Sequence, residues 1–97
     1  MKYQHEYGVE LEEIIRKVAR DGNKQFVREF LFDLLSPKEY RDLAVRWQIV
    51  KQLKAGIGHR DIAKNLKVSV GTTTRGSREL ENKKGGFNLA YAKFYKK

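Results

Sequence analysis

The chain has 97 residues, 21 Lys/Arg against 12 Asp/Glu, a formal net charge of +9 and no cysteine. That length allows one domain with a modest core, which either gains stability from a second copy or stays marginal. The composition excludes disulfides and thiolate metal sites, and no apolar run approaches the roughly 20 residues that span a bilayer. The start, Met1 to Glu6, lacks the apolar stretch of a signal peptide, so a cytoplasmic protein is expected.

The charge is unevenly spread. Residues 1–35 carry 6 Lys/Arg against 7 Asp/Glu, residues 36–85 carry 12 against 5, and residues 86–97 carry 3 against none. A near-neutral first third beside a basic remainder suggests a scaffold joined to an anion-binding face.

The scarcity of strand-like alternation predicts an all-α chain of five to six helices. Glu10 to Asp21 reads as the first, with Leu11, Ile14, Ile15 and Val18 at helical spacing. Asp21-Gly22-Asn23 breaks it, and Asn23 is the expected N-cap of a second helix from Lys24 to about Leu35. That helix is expected to bury Phe26, Phe30, Leu31 and Leu34, with Phe32 widening its apolar stripe beyond what one chain can cover. A homodimer is the simplest source of cover.

Ser36-Pro37-Lys38-Glu39 is a capping box with proline at the first helical position. The third helix continues through Leu43, Trp47, Val50 and Leu53, with Trp47 read as core, and Gly56 is the expected left-handed stop. His59 to Leu66 forms a short helix with Ile62, Ala63 and Leu66 inward. Lys67-Val68-Ser69 makes a tight turn, and Ser69 caps a helix from Val70 to about Asn82. Gly71, Gly76 and threonines 72–74 give that helix poor intrinsic propensity, so it depends on tertiary, ligand or DNA contacts. Gly85-Gly86 ends it, and Phe87, Ala90, Tyr91 and Phe94 mark a last helix with a basic end.

Two short helices around a tight turn, the second rich in small polar residues, form the helix-turn-helix pattern of double-stranded DNA readers. Ala63 is small where the helices cross, and Gly71, Thr72 and Thr74 let the second helix approach base edges. Backbone N–H groups near Ser69 and Val70 can hold a phosphate. Lys67 stands where such turns often have glycine, and Thr73 where an apolar residue is common.

The run from Leu35-Ser36-Pro37-Lys38-Glu39 through Arg46, Ile49-Val50, Leu53 and Gly56, then Arg60 to Leu66 and Thr72-Thr73-Thr74-Arg75-Gly76-Ser77, resembles the bacterial tryptophan repressor family. The resemblance covers roughly residues 35 to 80. It implies an intertwined all-helical homodimer: one domain over 1–97, with a dimerisation core at 10–56, a helix-turn-helix at 58–82 and a C-terminal helix at 86–97. It implies a DNA-binding transcriptional repressor with L-tryptophan or a related amino acid as corepressor. Arg46 and Arg75 match the arginines that sandwich the ligand's indole, and Arg75 also meets its carboxylate. Ser36 matches a threonine beside that pocket, and Val50 and Gly76 match pocket walls. Glu79 stands where the family has a small residue near the ligand's ammonium; it can pair with that ammonium or swing onto Arg75 or Arg78. On the DNA side, Arg60 matches a guanine-reaching residue and Lys64 one near phosphate. Val70, Gly71, Thr72 and Thr74 match base- and phosphate-facing positions.

Plainer readings of the same residues stand beside these. Arg46 follows Asp42 by four residues and can be half of a surface ion pair. Arg60 and Lys64 can be a solvated basic face. A regulator of the same fold without a ligand, or a basic helical interaction module, remains an alternative. His5 and His59 have no acid or cysteine partner at useful spacing, and no nucleophile–base set appears, so neither a metal site nor an enzyme is expected.

Overall fold

The computed structural model describes residues 5 to 95. Among them are six helices and no strand: α1 (Gly8–Asp21), α2 (Lys24–Leu34), α3 (Pro37–Lys54), α4 (His59–Leu66), α5 (Val70–Glu79) and α6 (Gly86–Phe94). The chain divides into two compact units at Tyr40/Arg41, inside the 10–56 segment.

In the first unit the helix boundaries follow local chemistry. Gly22 closes α1 in the left-handed region at φ 73°. Asn23 Oδ1 accepts from the Phe26 N–H at 3.0 Å and starts α2. The capping box forms as expected: the Glu39 N–H donates to Ser36 Oγ at 3.1 Å, and the Ser36 N–H donates to Glu39 Oε1 at 2.8 Å. Helix α1 begins at Gly8, two residues before the expected Glu10, because the Leu11 N–H already bonds the carbonyl of Tyr7, the N-cap, at 3.1 Å.

The expected burial corrects more sharply. Among the described residues of this unit only Val18 is buried within the chain, while Phe26 is 47% and Phe32 50% exposed. Leu11, Ile14, Ile15 and Leu34 are also open, and Phe30 and Leu31 are half-buried. Two helices cannot enclose apolar stripes this wide, which is the physical reason those side chains stay uncovered. Phe32 instead turns its ring edge to Tyr40 at 5.0 Å.

The second unit holds the larger core: Ile49 and Val50 of α3 with Ile62 and Ala63 of α4. Leu43, expected on the same apolar stripe, is exposed. Gly56 ends the α3 segment at φ 87°, as its position suggested. Helix α6 docks on α3 through rings: Trp47 lies 6.1 Å from Phe87 and 5.5 Å from Tyr95, and its Nε1 donates to the Tyr95 hydroxyl at 3.3 Å. Phe94, expected on the docking face, is exposed instead, and α6 stops there. Residues 96 and 97, the end of the expected last helix, lie outside the described residues.

Asn88 fastens this unit. Its Oδ1 accepts from Lys54 Nζ at 2.9 Å, and its Nδ2 donates to the carbonyls of Leu80 at 3.0 Å and Asn82 at 2.9 Å. Helix α5 ends at Glu79 rather than near Asn82 because its last turn tightens: the Leu80 and Glu81 N–H groups bond the carbonyls three residues back, at Ser77 and Arg78, both at 3.1 Å. Asn88→Ala should cost about 1–3 kcal/mol by leaving two carbonyls and an ammonium without this partner. Trp47, the only tryptophan, should report the loosening of α6 by a shifted fluorescence before the main thermal transition.

Candidate functional site

The α4–turn–α5 segment is held by local bonds of several kinds. Helix α4 ends on Lys67, whose φ of 57° and ψ of 45° are left-handed. The expected glycine position is therefore real, and lysine occupies it at some conformational cost. The Val68 N–H reaches back to the Ala63 carbonyl at 3.0 Å and tightens the turn. Ser69 then caps α5, its Oγ accepting from the Thr72 N–H at 3.1 Å and lying 2.8 Å from the Thr72 hydroxyl.

Helix α5 spends its hydroxyl groups on itself. Thr73 and Thr74 both donate to the Val70 carbonyl, at 2.7 and 3.1 Å, and Ser77 donates to Thr74 at 2.7 Å. Thr73 is fully buried, and its oxygen also lies 2.9 Å from His59 Nδ1 on α4. The apolar residue expected there is replaced by a satisfied polar one. Neither His59 nor Thr73 stood out as a pair in the sequence, because 14 residues separate them and no helical period links them.

The outward face is small and cationic. Val70, Gly71 and Thr74 on α5 are exposed, as are Ser69 in the turn and Arg60 and Lys64 on α4; Thr72 is half-buried. Arg60 and Lys64 are four residues apart and share one face of α4. A narrow helix surface without bulky side chains, beside two cations on the neighbouring helix, can enter a groove lined by anions.

The other set of candidate residues divides by burial. Val50 is fully buried, and Gly76 is buried against Ile49, so neither presents an open surface within the chain. A Cβ at Gly76 would lie 2.8 Å from Ile49 Cγ2. Helices α3 and α5 therefore meet at this glycine. Arg46 stands three residues before Ile49 and Arg75 directly before Gly76, and both side chains are exposed. Glu79 is exposed at the last position of α5. Ser36 belongs to the first unit, where its hydroxyl serves the capping box. Asn65 Nδ2 donates to Gln52 Oε1 at 3.1 Å and ties α4 to α3 as well.

Among the described residues, no group of three or more His, Asp or Glu side chains forms a metal cluster, and no helix is long and apolar enough to cross a membrane. The chain matches the family model described as Trp repressor protein over residues 9–94. It is 40% identical over 70 residues to the Trp operon repressor homolog of Actinobacillus succinogenes, a match covering 71% of this chain and 66% of that relative. The chain thus spans just under two thirds of the relative's length. No solved structure matches it significantly.

Gly71 and Gly76 should respond oppositely to alanine. A Cβ at Gly71 meets only Ser69 Oγ at an ordinary 3.8 Å, so Gly71→Ala should stabilise the chain by up to about 1 kcal/mol through helix propensity. Gly76→Ala should instead destabilise it by about 1–3 kcal/mol, because the stiff Ile49 side chain must move. Denaturant midpoints of the two variants check both signs.

Proposed function

This chain belongs to the Trp repressor protein family, and on that premise we propose that it is a sequence-specific, double-stranded DNA-binding transcriptional repressor. The observation that carries the reading is the α5 surface: small exposed side chains at Val70, Gly71 and Thr74, flanked on α4 by Arg60 and Lys64. In this reading Arg60 reads a base edge, Lys64 sits on phosphate, and the backbone at Ser69 and Val70 receives another phosphate at the α5 N-terminus. With its hydrogen turned to the Val70 carbonyl, Thr74 offers the groove a lone pair and a methyl group. Thr72 lies beside it and completes the face. The protein works in the cytoplasm.

The corepressor in this reading is L-tryptophan or a related amino acid, seated where α3 and α5 cross. Arg46 and Arg75 would hold its indole between guanidinium planes, and Arg75 would also take its carboxylate. Val50 and Gly76, buried within the chain, would back the seat from beneath, and Glu79 would pair with the ammonium. Support comes from the Ile49–Gly76 approach, which sets both arginines beside one crossing. Ligand binding there would favour one orientation of α5 and so shift the population toward the DNA-binding form.

In this reading the chain is a homodimer, supported by the uncovered apolar stripes of α1 and α2. Two copies would also present two reading heads to successive major grooves. Sedimentation should give about twice the 11.4 kDa chain mass at micromolar concentration; a monomer overturns the assembly.

The functional experiment measures DNA affinity with and without L-tryptophan, using a duplex that the wild-type chain enriches from a random pool. Arg60→Ala should cost about 1–3 kcal/mol and relax sequence preference, whereas Lys64→Ala should weaken all DNA and lower the salt slope by about one. Arg46→Ala should abolish the tryptophan response while keeping weak ligand-independent binding. An affinity indifferent to millimolar tryptophan, with Arg46→Ala silent, leaves a regulator without a corepressor. No DNA binding at all leaves a basic interaction module.

A further inference from the structure

The contact between α4 and α5 includes one polar pair with no part in the groove face described above. Thr73 has no exposed surface, and its hydroxyl gives its single hydrogen to the Val70 carbonyl at 2.7 Å. The same oxygen lies 2.9 Å from Nδ1 of His59, the first residue of α4. With the hydroxyl hydrogen on the shorter contact, to Val70, the oxygen accepts from His59 and Nδ1 carries the proton. We infer that His59 is a positioning residue for the recognition helix: its Nδ1–H, held on Thr73 Oγ1, fixes the first turn of α5 against the start of α4. The inference rests on the proposed reading of α5 as the DNA-facing helix.

The relay His59 to Thr73 to Val70 ends on the first residue of α5, next to the groove-facing candidates Gly71, Thr72 and Thr74. An apolar side chain at position 73 would fill space without preferring a direction. A hydrogen bond adds direction, since it weakens steeply when its angle falls. Direction matters in this helix, because glycines and threonines give it little stiffness of its own. The bond also selects a tautomer. Neutral His59 keeps its proton on Nδ1 and leaves Nε2 with a lone pair, the reverse of the form that predominates in free histidine. Protonation of the ring would add a hydrogen at Nε2 and leave the Nδ1 donor in place.

The variants separate direction from volume. Asparagine places an amide nitrogen close to where Nδ1 lies, whereas glutamine carries it one bond further. Thr73→Ser keeps the acceptor, and Thr73→Val removes it at similar size. The readout is the preference of the chain for the duplex it enriches from a random pool over a scrambled duplex of equal length. His59→Asn and Thr73→Ser should stay within about twofold of wild type, and His59→Gln and Thr73→Val should lose about tenfold, with helical content unchanged. Nitrogen NMR of the wild-type imidazole at about pH 8.5, where an ordinary ring is neutral, should show the proton on Nδ1. That measurement stands even if a Thr73 variant fails to fold. An Nε2–H tautomer, or a His59→Gln chain as discriminating as His59→Asn, overturns the inference while the DNA reading survives. A chain that enriches no duplex overturns the DNA reading and this inference together.

Discussion

The approach of Gly76 to Ile49 governs the second unit. Helix α5 is a poor helix by composition, with two glycines and three threonines in ten residues, and it would not persist alone in water. It persists because its middle is pressed onto α3, where Ile49 and Val50 are the most deeply buried apolar residues of that helix. Only a residue without a Cβ permits this distance. Thr73 and Gly76 share the inward face of α5, so Val70, Gly71 and Thr74 on its opposite face remain outside. The same contact that folds the helix therefore decides which of its faces is available.

Around that crossing the polar contacts do what apolar packing cannot. Asn88 ties α3, the end of α5 and α6 into one set of hydrogen bonds, and Asn65 joins α4 to Gln52. Among the described residues no buried side-chain nitrogen or oxygen lacks a partner. A small core supplies limited apolar burial, so directional bonds carry much of the register between helices. Charge has a different task. The basic residues of α4 and α5 lie outside, where they shape the field around the chain rather than its packing.

What could be read from the sequence was local, and most of what could not be read was decided at a distance. The caps at Asn23, Ser36 and Ser69 and the stops at Gly22 and Gly56 depend on bonds spanning a few residues, and each stands where its motif placed it. The end of α5 falls at Glu79 rather than near Asn82 because the Leu80 and Glu81 N–H groups tighten onto Ser77 and Arg78, a change of turn that helical periodicity does not announce. The amphipathic stripes of α1 and α2 were visible, but periodicity says only that a face wants cover. It does not say that Phe26 and Leu34 would find none within their own chain. The turn was legible down to the unusual position of Lys67, yet the use of Thr73 was not. A buried threonine needs a donor or acceptor, and nothing in the local pattern names His59 as that partner. For the candidate ligand site, the arginines were singled out by resemblance; the Ile49–Gly76 contact lies one turn past Arg46 and directly after Arg75 in sequence.

The distribution of irregularities carries an argument that needs no relative. Outside residues 67–76 the chain largely obeys ordinary preferences: side-chain caps begin α2 and α3, and glycines take the other left-handed positions. Inside that stretch several preferences are broken at once. A lysine adopts φ 57°, a threonine is buried where an alkyl group would serve, and Gly71 sits in a helix with no close contact that requires it. Each departure costs stability on the order of 1 kcal/mol, and none improves the packing of a generic core. Such departures persist together where a segment has a task other than stability. Here the task needs a thin helix surface, a steep turn and a fixed first turn of α5. Lys67 adds a cation at the turn, where a glycine would have relieved the strain without adding charge. Strain and charge therefore coincide at one turn, between Lys64 of α4 and the Ser69 cap of α5.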